Sequence, residues 1–475
     1  MIEEKVRLCK RIEEKEEAYS DISRKIWEYA ELGFHEYQSA KLLQNTLEAE
    51  GFQVETGLAG IPTAFKGTFG AERPVVAFLG EFDALPGLSQ KPGIDIQEKR
   101  EGTDCGHGCG HNLLGTGSLA AAVAVKDYLK EREGTGTGIY FGCPGEEKGS
   151  GKTFMAREGC FEGLDAVFCW HPWDVNGLFS SSSLADICAT FIFHGKASHA
   201  SASPHLGRSA LDAVELMNVG CNFLREHVIP EARIHYAITN AGGNAANVVQ
   251  ETAAVYYEAR APRLCQSYEI FERISEVARG ASIMTGTSFE IVRGDGFSDY
   301  IPNKVLGEVL MKNFQEAGAP DFDREDHELA KNIQNTFSDQ IMREAATAVE
   351  SQHGENAAAA MEGKVLADVV FPINPLKTLM PGSTDVGDVS YQAPTGQILT
   401  ACKAFGTPGH SWQEVSQSGS GIGRKGMITA AKVMGMAAVD IFQDPQIIKD
   451  AKKEFTAAVK DGYHCPIPDE IKPDI

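Results

Sequence analysis

The sequence predicts an α/β protein built on a mainly parallel sheet and interrupted by an inserted ferredoxin-like α+β unit. Three observations predict it. Short apolar runs of strand type alternate with helical segments over the first part of the chain. Near residue 187 the pattern changes to β-α-β-β-α-β, and after YIPN (300–303) the alternating α/β pattern resumes. Strands that alternate with helices argue for a parallel sheet. The β-α-β-β-α-β order argues for a split βαβ unit.

In chain order, residues 1–60 read as helices: a heavily charged one, then SDISRKIWEYAELGF, then EYQSAKLLQNTLEAEGF closed by Gly51. VVAFLG (75–80), GIYFG (138–142) and AVFCW (166–170) are strand-like, and NLLGTGSLAAAVAVKDYLKER between the first two is a helix. In the inserted unit, ICATFIFHG reads as a strand and SALDAVELMNVGCNFLREHV as a helix. HYAITNAG and ANVVQETAAVYYEARA follow as strands, then a helix over 265–285 and the strand SFEIV. These changes divide the chain into a first catalytic part (1–186), an inserted lid or dimerisation unit (187–298) and a second catalytic part (299–475). The Ala- and Glu-rich stretch 343–363 fits either a helix or a mobile excursion, and no function is read from it.

A chain of 475 residues is too long for one small core. Its formal net charge of −22 argues against nucleic acid or an anionic membrane as partner. No apolar run reaches the roughly 18 residues of a membrane helix. The charged start MIEEKVRLCKRIEEKEE lacks a signal-peptide core, so a cytoplasmic location is expected. The 11 cysteines are odd in number and scattered, and read as thiols.

The densest chemistry lies in HGCGH, His107 to His111. A structural zinc knuckle needs a second pair of ligands, and none follows at matching spacing. A redox pair prefers CxxC, and Cys105–Cys109 is one residue too long. A Gly-rich turn with hydrogen-bonded histidines remains open. Three other loops bear on the choice. Glu81 and Asp83 in GEFDALPG follow one strand, Glu146 and Glu147 in GCPGEEKGSG follow the next, and His171 in WHPW follows the third. Ligands of open α/β sheets gather at the carboxyl ends of strands, so these loops converge on one edge, as a two-metal site requires. Glu146–Glu147 alone also fits a solvated helix start. His410, in the Gly-Pro turn FGTPGHSW, is either a last ligand or an exposed loop histidine. In the inserted unit His199, His205 and Arg208 precede a helix, and Asn247 and Arg260 frame a strand. A lone strand Arg more often pairs with a surface carboxylate.

From about residue 20 onward these motifs resemble the amidohydrolase branch of the dimetal aminoacylase and carboxypeptidase G superfamily. Within it they are most similar to the p-aminobenzoyl-glutamate hydrolase group. GEFDALPGLSQ, HGCGHNLLGT, CPGEEKGSGKTFM, SPHLGRSALDAV, GSTDVGDVS, GTPGHSW and YHCPIP carry the resemblance. It implies a dimetal exopeptidase-like catalytic domain holding two divalent cations, manganese or zinc. Cys109 corresponds to the ligand shared by both, and His111, Glu147, His171 and His410 to the others. Glu146 matches the general base, and Asp83 an aspartate that orients a ligand. His199 matches a residue that reaches into a partner subunit's site and stabilises the oxyanion. Asn247 and Arg260 match the pair that recognises the substrate carboxylate, with Arg208 as a further substrate contact. Many relatives carry Asp after CGH, where this chain has Asn112, which puts the charge behind the metal ligands in question. The expected activity is hydrolysis of an N-acyl amino acid with a free carboxylate, foremost p-aminobenzoyl-glutamate. The expected assembly is a homodimer or a heterodimer with a related subunit. The alternatives are an indole-acetyl-aspartate hydrolase, a small dipeptidase, a non-catalytic metal-binding subunit and a structural zinc protein.

Overall fold

The computed structural model describes residues 1–475 except 133–134, 376–377, 381 and 461. Three helices lead: α1 (Glu3–Glu14), α2 (Glu16–Tyr29) and α3 (Tyr37–Ala49). Each is amphipathic, with Leu8 and Ile12, then Ile22 and Ile26, buried at four-residue spacing. Helix does not continue to residue 60. β1 (Gln53–Thr56) and β2 (Phe65–Gly70) form an antiparallel edge pair instead. Their signal is weak because β1 is only one short run, while β2 alternates just twice, with Phe65 and Gly67 facing inward.

The expected strand–helix alternation follows: β3 (Val75–Glu81), α4 (His111–Arg132), β4 (Thr137–Cys143), α5 (Gly151–Arg157), β5 (Ala166–Trp173), and the short β6 (Gly177–Leu178) and β7 (Ser182–Ser183). The inserted unit contains β8 (Ala185–His194), α6 (Ala210–Leu224), β9 (Arg233–Asn240), β10 (Thr252–Ala261), α7 (Leu264–Thr285) and β11 (Ser288–Phe297). The chain then returns through α8 (Lys304–Ala317), α9 (Arg324–Gln334), α10 (Asp339–His353), α11 (Ala357–Met361), β12 (Leu379–Met380), α12 (Val386–Ser390), β13 (Thr395–Ala401), α13 (Trp412–Ser418), α14 (Gly421–Gln443) and α15 (Pro445–Ala458). The Ala- and Glu-rich stretch is thus helical.

The main sheet has the order β1-β2-β4-β3-β5-β13-β6. Its centre, β4-β3-β5-β13, is parallel, and antiparallel strands border it. β4 and β13 are buried throughout; the centre of β4, GIYFG, reads as an apolar run, whereas the Thr and Gln residues of β13 (TGQILTA) conceal its burial. The inserted sheet has the order β11-β8-β10-β9 with antiparallel pairs. It owns a separate core in which Phe191, Met217, Tyr257 and Phe271 meet. No helix among the described residues is long and apolar enough to cross a membrane.

α4 fixes where His111 sits, because it lies tightly on the sheet. A Cβ on Gly115 would come 2.6 Å from the Glu81 carbonyl oxygen, and one on Gly117 2.7 Å from the Trp170 ring. The Trp170 indole N–H donates to the Leu114 carbonyl at 3.1 Å, locking strand to helix. Gly117→Val therefore overpacks this contact. It is expected to lower the unfolding free energy by about 1–3 kcal/mol, read as a lower denaturant midpoint at constant slope.

Candidate metal centre

The carboxyl edge of the parallel strands carries the site. β3 ends on Glu81 with Asp83 just beyond, β4 leads into Glu146 and Glu147, and β13 leads into the loop that carries His410. His171 is not in a loop after its strand, as its position after AVFC suggested. β5 runs on to Trp173 because β13 pairs with it in register that far. The HGCGH turn is compact and needs its glycines: Gly110 has φ 76°, and a Cβ on Gly108 would come 2.5 Å from the Leu88 side chain, while just before the turn one on Gly106 would strike the Leu88 carbonyl oxygen at 2.2 Å. It delivers Cys109 and then His111, the first residue of α4.

Two donor groups form here and share a thiol. In each, the candidate ligand atoms lie within 4.8 Å of one another: Cys109, His111 and His171 in one, Cys109, Glu147 and His410 in the other. Cys109 Sγ is 3.5 Å from His171 Nε2, and His410 Nε2 is 3.4 Å from Glu147 Oε2. Glu81, His111 and Glu146 form a third, adjoining group. The imidazoles are oriented from behind. The His171 Nδ1–H donates to the Pro172 carbonyl at 2.8 Å, which leaves the Nε2 lone pair facing Cys109. The His111 Nδ1–H donates to Asp83 Oδ1 at 2.8 Å, and the Glu147 backbone N–H donates to Asp83 Oδ2 at 2.8 Å. His410 has a left-handed φ of 52°, and its N–H donates to the Gly108 carbonyl at 3.0 Å.

These donors fit a metal. Among the described residues, His111 Nε2 and Glu147 Oε1 are buried without a hydrogen-bond partner, the state expected of atoms that complete a coordination shell. Thiolate, imidazole and carboxylate together suit zinc, and the last two also suit manganese. The electrostatics agree. Burial, then Glu81 and Asp385, push the Glu146 carboxyl well above the usual range. Burial raises Glu147 to about 7 against the pull of His111, and it drives His171 down to about 4, with His111 adding to the fall. Burial and Glu147 raise the Cys109 thiol. The cluster is short of positive charge, which bound cations supply.

Sequence reasoning missed a buried ion network behind this edge. Lys152, wholly buried, holds Glu81 Oε1 at 2.7 Å and also pairs with Asp385, whose Oδ2 accepts the Lys152 backbone N–H at 2.7 Å. Glu81 Oε2 lies 3.2 Å from His111 Nε2. Nothing local marks Lys152 in EEKGSGK, since its partners are distant in sequence. Asn112 answers the question that its position raised. Its Nδ2 donates to Ser23 Oγ and to the Ser418 carbonyl, each at 3.0 Å, and the second bond needs an amide that an aspartate could not offer.

The inserted unit's residues do not join the donor groups within one chain. His199 is exposed, and its Nδ1 accepts from Ala202 N–H at 3.2 Å and Ser201 N–H at 3.3 Å, so the ring proton sits on Nε2. Arg208 and His205 are exposed, and the Arg208 Nη1 donates to the Gly207 carbonyl at 2.6 Å. Asn247 is exposed beside the His199 turn, where its carbonyl accepts from Ala200 N–H. Arg260 spends part of its fork on its own sheet, with Nε 3.0 Å from Asp186 Oδ2 and Nη2 donating to Glu258 Oε2 at 2.9 Å. That guanidinium thus pairs with both carboxylates of the Asp186–Cys188–Glu258 cluster.

The sequence profile described as peptidase family M20/M25/M40 matches residues 77–379. A p-aminobenzoyl-glutamate hydrolase subunit from Escherichia coli (strain K12) is 44% identical, over 97% of this chain and 97% of its own length. The Xaa-Arg dipeptidase of Mus musculus is 28% identical over 96% of this chain and 93% of its own. Among solved structures, a dinuclear metal-binding M20 peptidase of Bacillus subtilis shares the fold. Its TM-score is 0.59 at 14% identity, covering 91% of this chain and 99% of that one.

Asp83→Asn cannot accept both N–H groups with its two side-chain atoms. Metal titration of chelator-treated protein, followed by calorimetry, is expected to show an affinity lowered by about 10–100-fold. Cys109→Ala is expected to weaken both equivalents of metal, whereas His410→Ala weakens one, which the stoichiometry of the same titration reads.

Proposed function

The chain belongs to peptidase family M20/M25/M40, and within it we propose an amidohydrolase that cleaves p-aminobenzoyl-glutamate to p-aminobenzoate and glutamate. The observation that carries this reading is the pair of donor groups sharing Cys109, with Glu146 beside them. The full-length likeness to the Escherichia coli hydrolase supports the substrate. In this reading Cys109, His111 and His171 hold one divalent cation, and Cys109, Glu147 and His410 hold a second, zinc or manganese. Two such ions polarise a carbonyl and acidify water when bound.

The chain's own residues do the rest. Glu146 takes the proton of the attacking water and passes it to the leaving nitrogen. Burial, with Glu81 and Asp385 nearby, raises the proton affinity of this carboxylate, which suits a group that must take a proton and hold it between the two steps. Lys152 engages Glu81, which keeps that second carboxylate from competing for the same proton. His199, with its Nε2 proton facing outward, donates to the developing oxyanion of a partner subunit's site; one such donor is worth about 10²–10³ in turnover. Arg260, through the Nη1 edge that its own carboxylates leave over, and Asn247 hold the glutamate carboxylate, with Arg208 nearby. The Escherichia coli relative is named as one subunit of its enzyme, which supports an assembly of more than one chain.

The likeness to the Xaa-Arg dipeptidase favours a second substrate class, small dipeptides. Parallel assays of p-aminobenzoyl-glutamate, indole-acetyl-aspartate and an Xaa-Arg dipeptide, on the chain purified alone, rank these. Glu146→Gln is expected to keep its metal content and lose about 10²–10⁴ in kcat. Undiminished turnover in that variant removes Glu146 from the reaction.

A further inference from the structure

A cavity of about 410 Å³ opens between the 402–410 loop and α10, within the usual range for small-molecule sites. Cys109, His171 and His410 of the donor groups are part of its lining. A group seated there is therefore attached to whatever carbonyl approaches the donor set. One wall is aromatic, from Trp173 and Phe405. The Lys403 ammonium lies 5.3 Å from the Trp173 ring centroid, and its charge is met by buried Glu414, with the Asp174 carboxyl also on this side of the cavity.

The opposite wall is α10. Ile341, Ala345 and Ala348 line the cavity at spacings of four and three, which is one helix face. α10 is anchored beside the cavity itself, where Val349 packs with Val175, Phe371 and Phe405 and Ala345 rests against the same small core. The wall is thus anchored, and its two alanines present only small side chains to the cavity that the Trp173 ring also lines, which leaves room for a flat group. Glu344 lines the same cavity and is solvent-exposed, a carboxylate able to accept a hydrogen bond.

We propose that α10 selects the acyl group. The slot takes a flat, single aromatic ring bearing a hydrogen-bond donor, Ala345 and Ala348 set its width, and Glu344 receives the donor. The proposal rests on the amidohydrolase reading, because that reaction places an acyl group beside Cys109 and His171.

The test compares kcat/KM for benzoyl-glutamate and acetyl-glutamate in the metal-loaded protein. Ala348→Leu is expected to lower the benzoyl-to-acetyl ratio at least about tenfold, as filling a pocket by a few carbons does. Ile341→Ala, which widens the slot, is expected to raise the ratio of naphthoyl-glutamate to benzoyl-glutamate. Ratios that neither variant moves overturn the proposal. A second readout needs no turnover: benzoate and acetate binding, each followed by tryptophan fluorescence. Benzoate affinity reduced about tenfold in Ala348→Leu, beyond any change for acetate, supports the slot; equal losses for both acids overturn it. If the wild-type chain hydrolyses none of the acyl-glutamates, the hydrolase reading fails, and the binding comparison still decides whether α10 lines an aryl site.

Discussion

One buried carboxylate couples the two donor groups. Asp83 gives one oxygen to the ring of His111 and the other to the backbone of Glu147, so the first imidazole and the second carboxylate are positioned by the same side chain. Asp83 can serve both because it stands one residue beyond Phe82, past the end of β3, with α4 starting on one side and the turn after β4 on the other. Glu36 steadies that turn from beneath. Its carboxylate accepts the Gly145 N–H at 2.8 Å and the Thr63 hydroxyl at 3.0 Å. Donors from the start of α4 and from the turn after β4 are thereby held to the geometry of a single sheet edge.

That edge concentrates acid in a water-poor place, and its stability is a matter of charge balance. Burial of an unpaired carboxylate costs several kcal/mol. Lys152 meets Glu81 and Asp385, and Lys403 meets Glu414. Among the described residues no lysine pairs with Glu146 or Glu147, and burial raises both. The protein has thus paired the acids that flank the donor cluster and left unpaired those within it. Binding of cations and folding of this edge are linked, since each favours the other.

Much of this was legible in the sequence because the donors sit in turns with distinctive residues. HGCGH, GEE and GTPGH each place a candidate ligand among glycines that the tight backbone needs, and each follows or precedes a run with a clear period. The β-α-β-β-α-β order was readable because β8 and β10 are long and the helices between strands carry a strong apolar stripe. What escaped had no local signature. Lys152 and Asp385 are far apart in the chain and meet only through folding. β1 is too short to show alternation. α10 reads as ambiguous because only Val349 and His353 are buried along it, so the apolar stripe that announces a packed helix is thin. The engagement of Arg260 by Asp186 follows from strand register, β10 against β8, which spacing within one strand cannot reveal.

The two places where the chain enters and leaves the inserted unit are neighbours. Asp186 pairs with Phe297 across β8 and β11, and the Tyr300 N–H donates to Ser183 Oγ at 3.1 Å. The insertion therefore closes like a stem: both ends return to one point, and no strand of the main sheet is threaded by it. A module attached in this way can be lengthened, trimmed or exchanged during evolution without re-routing the scaffold that carries the chemistry. Relatives could then diverge in what they grip while keeping the cutting edge intact.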